Sequence, residues 1–130
     1  MQKRKILVVD DKKDFTAMVA FNLIEHGYEV RQENDAGNVV AAAILFTPDV
    51  IMLDVMMPEI DGLTVLKRLK ENEITKTIPV IMVTAVASAS ARLQALGLLC
   101  ADYVVKPVNT AVLLEKIENV LGPDSERIGN

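Results

Sequence analysis

Asp10 and Asp11 follow the apolar run Ile6-Leu7-Val8-Val9, and Asp54 follows Val50-Ile51-Met52-Leu53. Apolar runs of this length, bounded by loop signals, read as strands buried on both faces. In an open parallel sheet, ligands bind outside the carboxyl ends of the strands, where the connections diverge. The pattern therefore aims three carboxylates at the place where such folds do chemistry. Carboxylates crowded together repel one another unless a cation sits among them. Oxygen ligands suit a hard divalent ion, and Mg²⁺ is the usual choice where phosphate is also involved.

The elements that must position these residues alternate along the chain. Lys5–Val9 reads as a first strand and Asp14 to Glu25 as a helix, ended by Gly27 in the position past a helix end that favours glycine. Tyr28–Gln32 alternates polar and apolar residues, as an edge strand does. Asn38 is placed to cap a second helix through Val39-Val40-Ala41-Ala42-Ala43, stopped by Thr47-Pro48. A third strand, Val50–Leu53, precedes a helix opened by Gly62 and running from Leu63 to Lys70. Pro79–Val83 is the fourth strand, ending at Thr84. Ser88 or Ser90 caps a fourth helix that ends at Gly97. Tyr103–Val105 is the fifth strand, followed by Lys106-Pro107, and Asn109 or Thr110 caps a last helix. Five strand–helix units imply an α/β fold, a mostly parallel sheet with helices on both faces and right-handed crossovers.

Parallel strands deliver their ends to one rim. Asp10-Asp11, Asp54, Thr84 and Lys106 therefore converge. A metal held by carboxylates and an ammonium neutralise phosphoryl oxygens, while a hydroxyl donates a hydrogen bond to one of them. One carboxylate can act as nucleophile and form an acyl phosphate. Each residue alone would be an ordinary strand cap or turn residue; the ordered set is what points to phosphoryl chemistry.

Composition excludes several other classes. With 130 residues the chain fits one domain, and 51% hydrophobic with 25% charged residues describes a soluble globular protein. A net charge of −4 leaves no electrostatic footprint for nucleic acid or an anionic membrane. The single cysteine, Cys100, allows no intramolecular disulfide and sits among apolar neighbours, as a buried thiol does. The start, Met1 to Lys5, is basic, but the apolar run behind it is too short for a signal peptide, and no stretch is long enough to span a membrane. These features point to the cytoplasm. Met52, Met56, Met57 and Met82 read as core filler, and His26 as a helix-end surface residue.

The ordered set resembles the receiver domain of bacterial response regulators, over roughly Lys5 to Leu121. Asp10-Asp11 match the family's acidic pair, Asp54 its phosphoacceptor and Met57-Pro58-Glu59-Ile60-Asp61-Gly62 the loop that follows. Thr84 matches the switch hydroxyl and Lys106-Pro107 the Lys-Pro pair. The resemblance implies a flavodoxin-like (βα)5 fold with strand order 2-1-3-4-5. It implies a receiver domain over residues 1–121, with 122–130 a tail or the start of a linker. It also implies a phosphoacceptor rather than an enzyme. Asp54 would take a phosphoryl group from a sensor histidine kinase or phosphotransfer protein, with Mg²⁺ held by Asp11, Asp54 and the Met56 carbonyl and with Asp10 close by. Lys106 would pair with Asp54 and later with a phosphoryl oxygen. Thr84 would move toward the phosphoryl group and let Tyr103 turn inward, altering a surface from about Ser88 to Leu121 that a downstream protein or output domain reads.

Three further readings separate this chain from alternatives. A Mg²⁺-dependent phosphohydrolase of the haloacid-dehalogenase type needs a second Asp two residues past its nucleophile, and Met56 stands there. A flavin binder needs aromatics and a phosphate-cradling loop, yet aromatics are only 4% and Trp is absent. A purely structural protein would have no use for the charged rim, and a receiver fold kept as a phosphate-independent interaction module is the remaining alternative. Within the receiver reading, apolar Met56 and Val86 leave no side chain to orient an attacking water, so the acyl phosphate is expected to hydrolyse slowly. Lys12 makes the acidic loop less negative, and a fourth helix with few charges gives no match to the charged dimer face of the transcription-factor subfamily.

Overall fold

The structure is a computed structural model, and it describes residues 3–85 and 100–122. Five strands, β1 (Lys5–Val9), β2 (Glu29–Glu33), β3 (Val50–Asp54), β4 (Val80–Thr84) and β5 (Asp102–Val105), form one sheet in the order β2-β1-β3-β4-β5. Every neighbouring pair is parallel. The described helices are α1 (Lys13–Glu25), α2 (Val39–Phe46), α3 (Gly62–Glu71) and α4 (Thr110–Leu121). This is the flavodoxin-like architecture expected from the alternating pattern and the family resemblance. The fourth helix expected between Ser88 and Gly97, the residue Val86 and the tail from Pro123 lie outside the described residues.

Alternation of side chains across the sheet sorts the core into two layers. Leu7, Val9, Ile51, Leu53 and Met82 face α2 and α3, meeting Val39, Ala43, Val65, Leu66 and Leu69. Ile6, Val8, Val50, Met52, Ile81 and Val83 face the other way, onto Val19 and Leu23 of α1 and Leu113 and Ile117 of α4. All residues of β3 and β4 are buried, as strands covered by helices on both faces require. β2 pairs only with β1 and keeps exposed polar positions, so it is the edge strand its mixed composition indicated. It begins one residue later than Tyr28, because the ladder starts where Lys5 pairs with Glu29.

One helix start differs from the sequence reading. Asn38 does not cap α2: a 3₁₀ turn over Ala36–Asn38 leads straight into it, and Asp35 caps that turn through Gly37 N–H at 2.9 Å. Asn38 instead donates to Glu33 at 2.8 Å. α3 opens at Gly62 as read from the sequence, and its cap, which the sequence reading does not name, is Asp61, accepting Thr64 N–H at 2.9 Å. For α4 the cap is Asn109, which accepts Val112 N–H at 3.2 Å. Gly27 adopts φ +92°, the left-handed backbone expected past α1.

Candidate functional site

The strand register sets the site. Leu53 pairs with Val9 and with Met82, so Asp10 and Asp54 emerge side by side from β1 and β3. Thr84 closes β4 opposite Val105, and its carbonyl accepts the Lys106 N–H at 2.7 Å, which starts the Lys106 side chain over the same rim. The Lys106 ammonium lies 2.9 Å from Oδ2 of Asp10 and 3.6 Å from Oδ1 of Asp54. One carboxylate oxygen each from Asp10, Asp11 and Asp54 lies within 4.8 Å of the others. Asp10, Asp11, Asp54 and Lys106 are thus brought together as the sequence reading expects. Thr84, fully buried, stands at the adjacent strand end.

Among the described residues, only the Lys106 ammonium comes within hydrogen-bond distance of these three carboxylates, which leaves the site over-negative. Asp54 is 2% exposed, and its acidity is pushed from the ordinary 3.8 up to about 6. Burial is the main cause and the Asp10 charge adds to it; Lys106 and the Met56 N–H pull the other way. Burial pulls the Lys106 ammonium down, but its hydrogen bond to Asp10 and the charges of Asp54 and Asp10 outweigh this and hold it above 10.5. Asp10 has both oxygens engaged, Oδ2 by Lys106 and Oδ1 by the Lys12 N–H at 2.9 Å. Oδ2 of Asp54 and Oδ1 of Asp11 are buried without a hydrogen bond among the described residues. The exposed Lys12 ammonium stays 3.9 Å from Asp11, too far to supply one.

Buried polar atoms in folded proteins are nearly always partnered, so two orphaned carboxylate oxygens in one cluster need a cause. A hard divalent cation fits: the donor set is all oxygen, carries excess negative charge and converges from two strand ends. A cavity of about 320 Å³, lined in part by Asp11, Asn34, Asp35, Met57 and Glu59, opens onto Asp11 from outside.

The surrounding loops explain how the carboxylates are held. Gly62 lies against the main chain at the phosphoacceptor candidate: its N–H donates to the Val55 carbonyl at 2.8 Å. A Cβ there would collide with the Asp54 carbonyl oxygen and come within 2.8 Å of Val55 Cα. Its role is close approach, beyond the turn the Asp-Gly pair signals. Glu59, in the same loop, takes the left-handed φ of +70°, with Ile60 N–H donating to Pro58 across it at 2.7 Å.

On the other side, Asn34 donates to the Asp10 carbonyl at 2.8 Å and to the Thr16 hydroxyl at 3.0 Å. The buried Thr16 hydroxyl also lies 3.0 Å from Gln32. The sequence reading passed over Asn34 and Thr16; a polar residue directly after β2 and a threonine on the buried face of α1 were the available signals. Phe15 was also passed over, although its ring lies 4.4 Å from the Lys106 ammonium.

Tyr103 is half-buried on β5, with the Lys116 ammonium 5.9 Å from its ring centre; Lys116 also bonds Asp102 at 3.1 Å. Met56 points a 60% exposed side chain outward, and its N–H makes a long 3.4 Å contact with Asp54. Cys100 is half-buried and burial pushes its thiol up, as a structural thiol requires. His26 is exposed at the end of α1, its Nδ1 2.8 Å from the Asn22 carbonyl.

Residues 6–118 match the sequence model of the response regulator receiver domain. The chain belongs to the receiver-domain family of response regulators. Receiver domains of this family serve two-component signalling. The chain is 37% identical over 117 residues to the DNA-binding dual master transcriptional regulator RpaA of Synechocystis sp., covering 90% of this chain and 48% of that protein. It is 35% identical to the response regulator PleD of Caulobacter vibrioides, covering 89% of this chain and 26% of that one. It thus spans about half or less of these two relatives. The chemotaxis protein CheY4 of Vibrio cholerae superposes with a TM-score of 0.82 at 31% identity, over 92% of this chain and all of that receiver. Among the described residues of this receiver, no helix is long and apolar enough to cross a membrane.

Proposed function

We propose that this receiver accepts a phosphoryl group on Asp54 from the phosphohistidine of a sensor histidine kinase or phosphotransfer protein. The observation that carries the reading is Oδ2 of Asp54, a buried carboxylate oxygen with no hydrogen-bond partner among the described residues, in an acidic cluster that Lys106 only partly neutralises. In the transfer, a carboxylate oxygen forms the new O–P bond as the P–N bond breaks, and the electron pair returns to the imidazole nitrogen. Asp54 must be ionised to attack, and at neutral pH it is, even with its acidity pushed to about 6.

Asp11, Asp54 and the Met56 carbonyl would hold Mg²⁺, with Asp10 contributing from a second layer because both its oxygens are already engaged. Such an ion supplies charge neutralisation at the phosphoryl oxygens. Lys106 shifts its ammonium from Asp54 to a phosphoryl oxygen while keeping Asp10. The Thr84 hydroxyl donates to another, and movement toward it leaves room for Tyr103 to turn inward. The region from about Ser88 to Leu121 is then the surface that a downstream protein or output domain reads. In this reading the chain works in the cytoplasm as a phosphoacceptor and binds neither nucleic acid nor membrane itself, and its receiver domain takes up residues 1–121. With Met56 and Val86 flanking the site, self-dephosphorylation is slow. A phosphoryl half-life as short as the fastest receivers show, followed by loss of the mass adduct, would contradict that part.

The test is intact-protein mass after incubation with acetyl phosphate. One phosphoryl adduct that requires Mg²⁺ and disappears in Asp54→Ala is expected. Folded wild-type protein that takes no adduct and binds no beryllofluoride would sink the phosphoacceptor reading.

A further inference from the structure

We propose that Phe15 is a positioning residue for phosphoryl transfer: its ring face holds the Lys106 ammonium at the rim and guides it between its two partners. This rests on the reading above, in which Lys106 neutralises a phosphoryl oxygen. The Lys106 ammonium is bounded by three groups, Asp10 at 2.9 Å, Asp54 at 3.6 Å and the Phe15 ring centre at 4.4 Å. The ring distance lies well inside the range in which a cation is attracted to an aromatic face. Phe15 is half-buried at the first turn of α1, where its N–H donates to the Lys12 carbonyl at 3.1 Å, and it packs against the layer formed by α1 and α4. The ring is therefore fixed by the fold, whereas lysine is a flexible four-carbon arm.

The chemistry of the site gives such a contact a purpose. In the proposed transfer the ammonium leaves Asp54 and meets a phosphoryl oxygen, so it must move without losing its place. A carboxylate binds it at a point, but an aromatic face attracts it without strong direction in the plane of the ring. A ring face accepts no conventional hydrogen bond, so its attraction leaves the N–H donors of the ammonium for Asp10 and the incoming phosphoryl group. An aliphatic side chain of similar size would fill the same space but would not attract the charge. That difference separates a positioning role from simple packing.

The experiment measures the second-order rate of phosphorylation by acetyl phosphate with Mg²⁺ in the full chain. The variants are Phe15→Leu, Phe15→Tyr and protein carrying mono-, di- and trifluorinated phenylalanine at position 15, with thermal melting recorded for each. Loss of a cation–π contact of ordinary strength corresponds to about tenfold in rate. We expect Phe15→Leu to be slower by about that factor, Phe15→Tyr to stay within about threefold of wild type, and the rate to fall stepwise with each fluorine. Carbon-bound protons next to the Lys106 nitrogen should show an upfield ring-current shift in wild type that is lost in Phe15→Leu. Equal rates across the fluorinated series, with wild type phosphorylated normally, would overturn this inference and leave the phosphoacceptor reading standing. No adduct on wild type would overturn both. Should Phe15→Leu fail to fold, the fluorinated series decides alone, because its members keep the ring shape.

Discussion

The two ends of the sheet treat charge in opposite ways. At the amino ends of the strands, cations meet acceptors that satisfy them. Lys5 donates its ammonium to the Phe46 carbonyl at 3.2 Å, and its backbone N–H to Asp49 at 2.7 Å. Arg4 reaches the Leu121 carbonyl at 3.1 Å, and Lys70 the Ile78 carbonyl at 2.7 Å. Phe46 and Leu121 are the last residues of α2 and α4, so these cations also meet the negative ends of helices. At the carboxyl ends, three carboxylates cluster, Lys106 serves Asp10 and Asp54, and two carboxylate oxygens have no hydrogen-bond partner among the described residues. Lysine over phenylalanine occurs at both ends, Lys5 over Phe46 at 5.3 Å and Lys106 over Phe15 at 4.4 Å. The contact that finishes a structural end at one rim restrains a working arm at the other. Local stability is complete below and withheld above, where the proposed cation and phosphoryl group would complete it.

The sharpest way to break the contrast is to crowd the upper rim. Gly62→Ala places a Cβ against the Asp54 carbonyl and should cost about 4 kcal/mol, read as a lower urea midpoint, because the listener on the other side is backbone that cannot step aside. Removing the central cation comes next. Lys106→Met strands buried Asp10 and Asp54 and should cost about 3 kcal/mol at pH 7, with a smaller loss near pH 4. Lys5→Met, at the satisfied rim, should cost no more than about 1 kcal/mol in the same unfolding series.

Asp54→Asn should act in the opposite direction. Folding raises the pKa of Asp54 from 3.8 to about 6, so the folded state binds the proton more tightly than the unfolded chain does. Stability contributed by this group is then greatest below pH 4 and is lost as pH rises through 6. Neutral asparagine should therefore stabilise the protein by about 2 kcal/mol at pH 7, a little under the roughly 3 that the shift implies, because attraction to Lys106 is lost too. The gain should vanish near pH 4, and denaturation across that range checks it. The smallest effect is Glu59→Gly, which relieves a left-handed backbone and should stabilise by about 0.5 kcal/mol after glycine's greater unfolded freedom is counted.

How much of this was legible beforehand follows from burial. Val50–Leu53 and Val80–Val83 are buried on both faces, so their apolar runs could only be central strands, and the acidic and hydroxyl residues ending them were located at once. The five-residue constellation was readable because parallel strands deliver all their ends to one rim. Edges and turns were harder. β2 was read one residue early, since an edge strand lacks a continuous apolar run to mark its register. The Asn38 cap was misassigned because Asp35 opens a 3₁₀ turn that enters α2 directly, and a turn of three residues leaves no periodicity. The left-handed Glu59 has no glycine to announce it. Phe15, Thr16 and Asn34 touch the site only through contacts made in three dimensions, and nothing in their spacing points there.

If the incomplete upper rim receives a phosphoryl group on Asp54, as proposed, chemical trapping will locate it. Phosphorylate the protein with acetyl phosphate and Mg²⁺, reduce it at once with borohydride, and map the peptides. Reduction converts an aspartyl phosphate to homoserine and leaves free aspartate untouched. The account predicts homoserine at position 54 alone. Homoserine at position 10 or 11, or none in protein that carries the adduct, would contradict it.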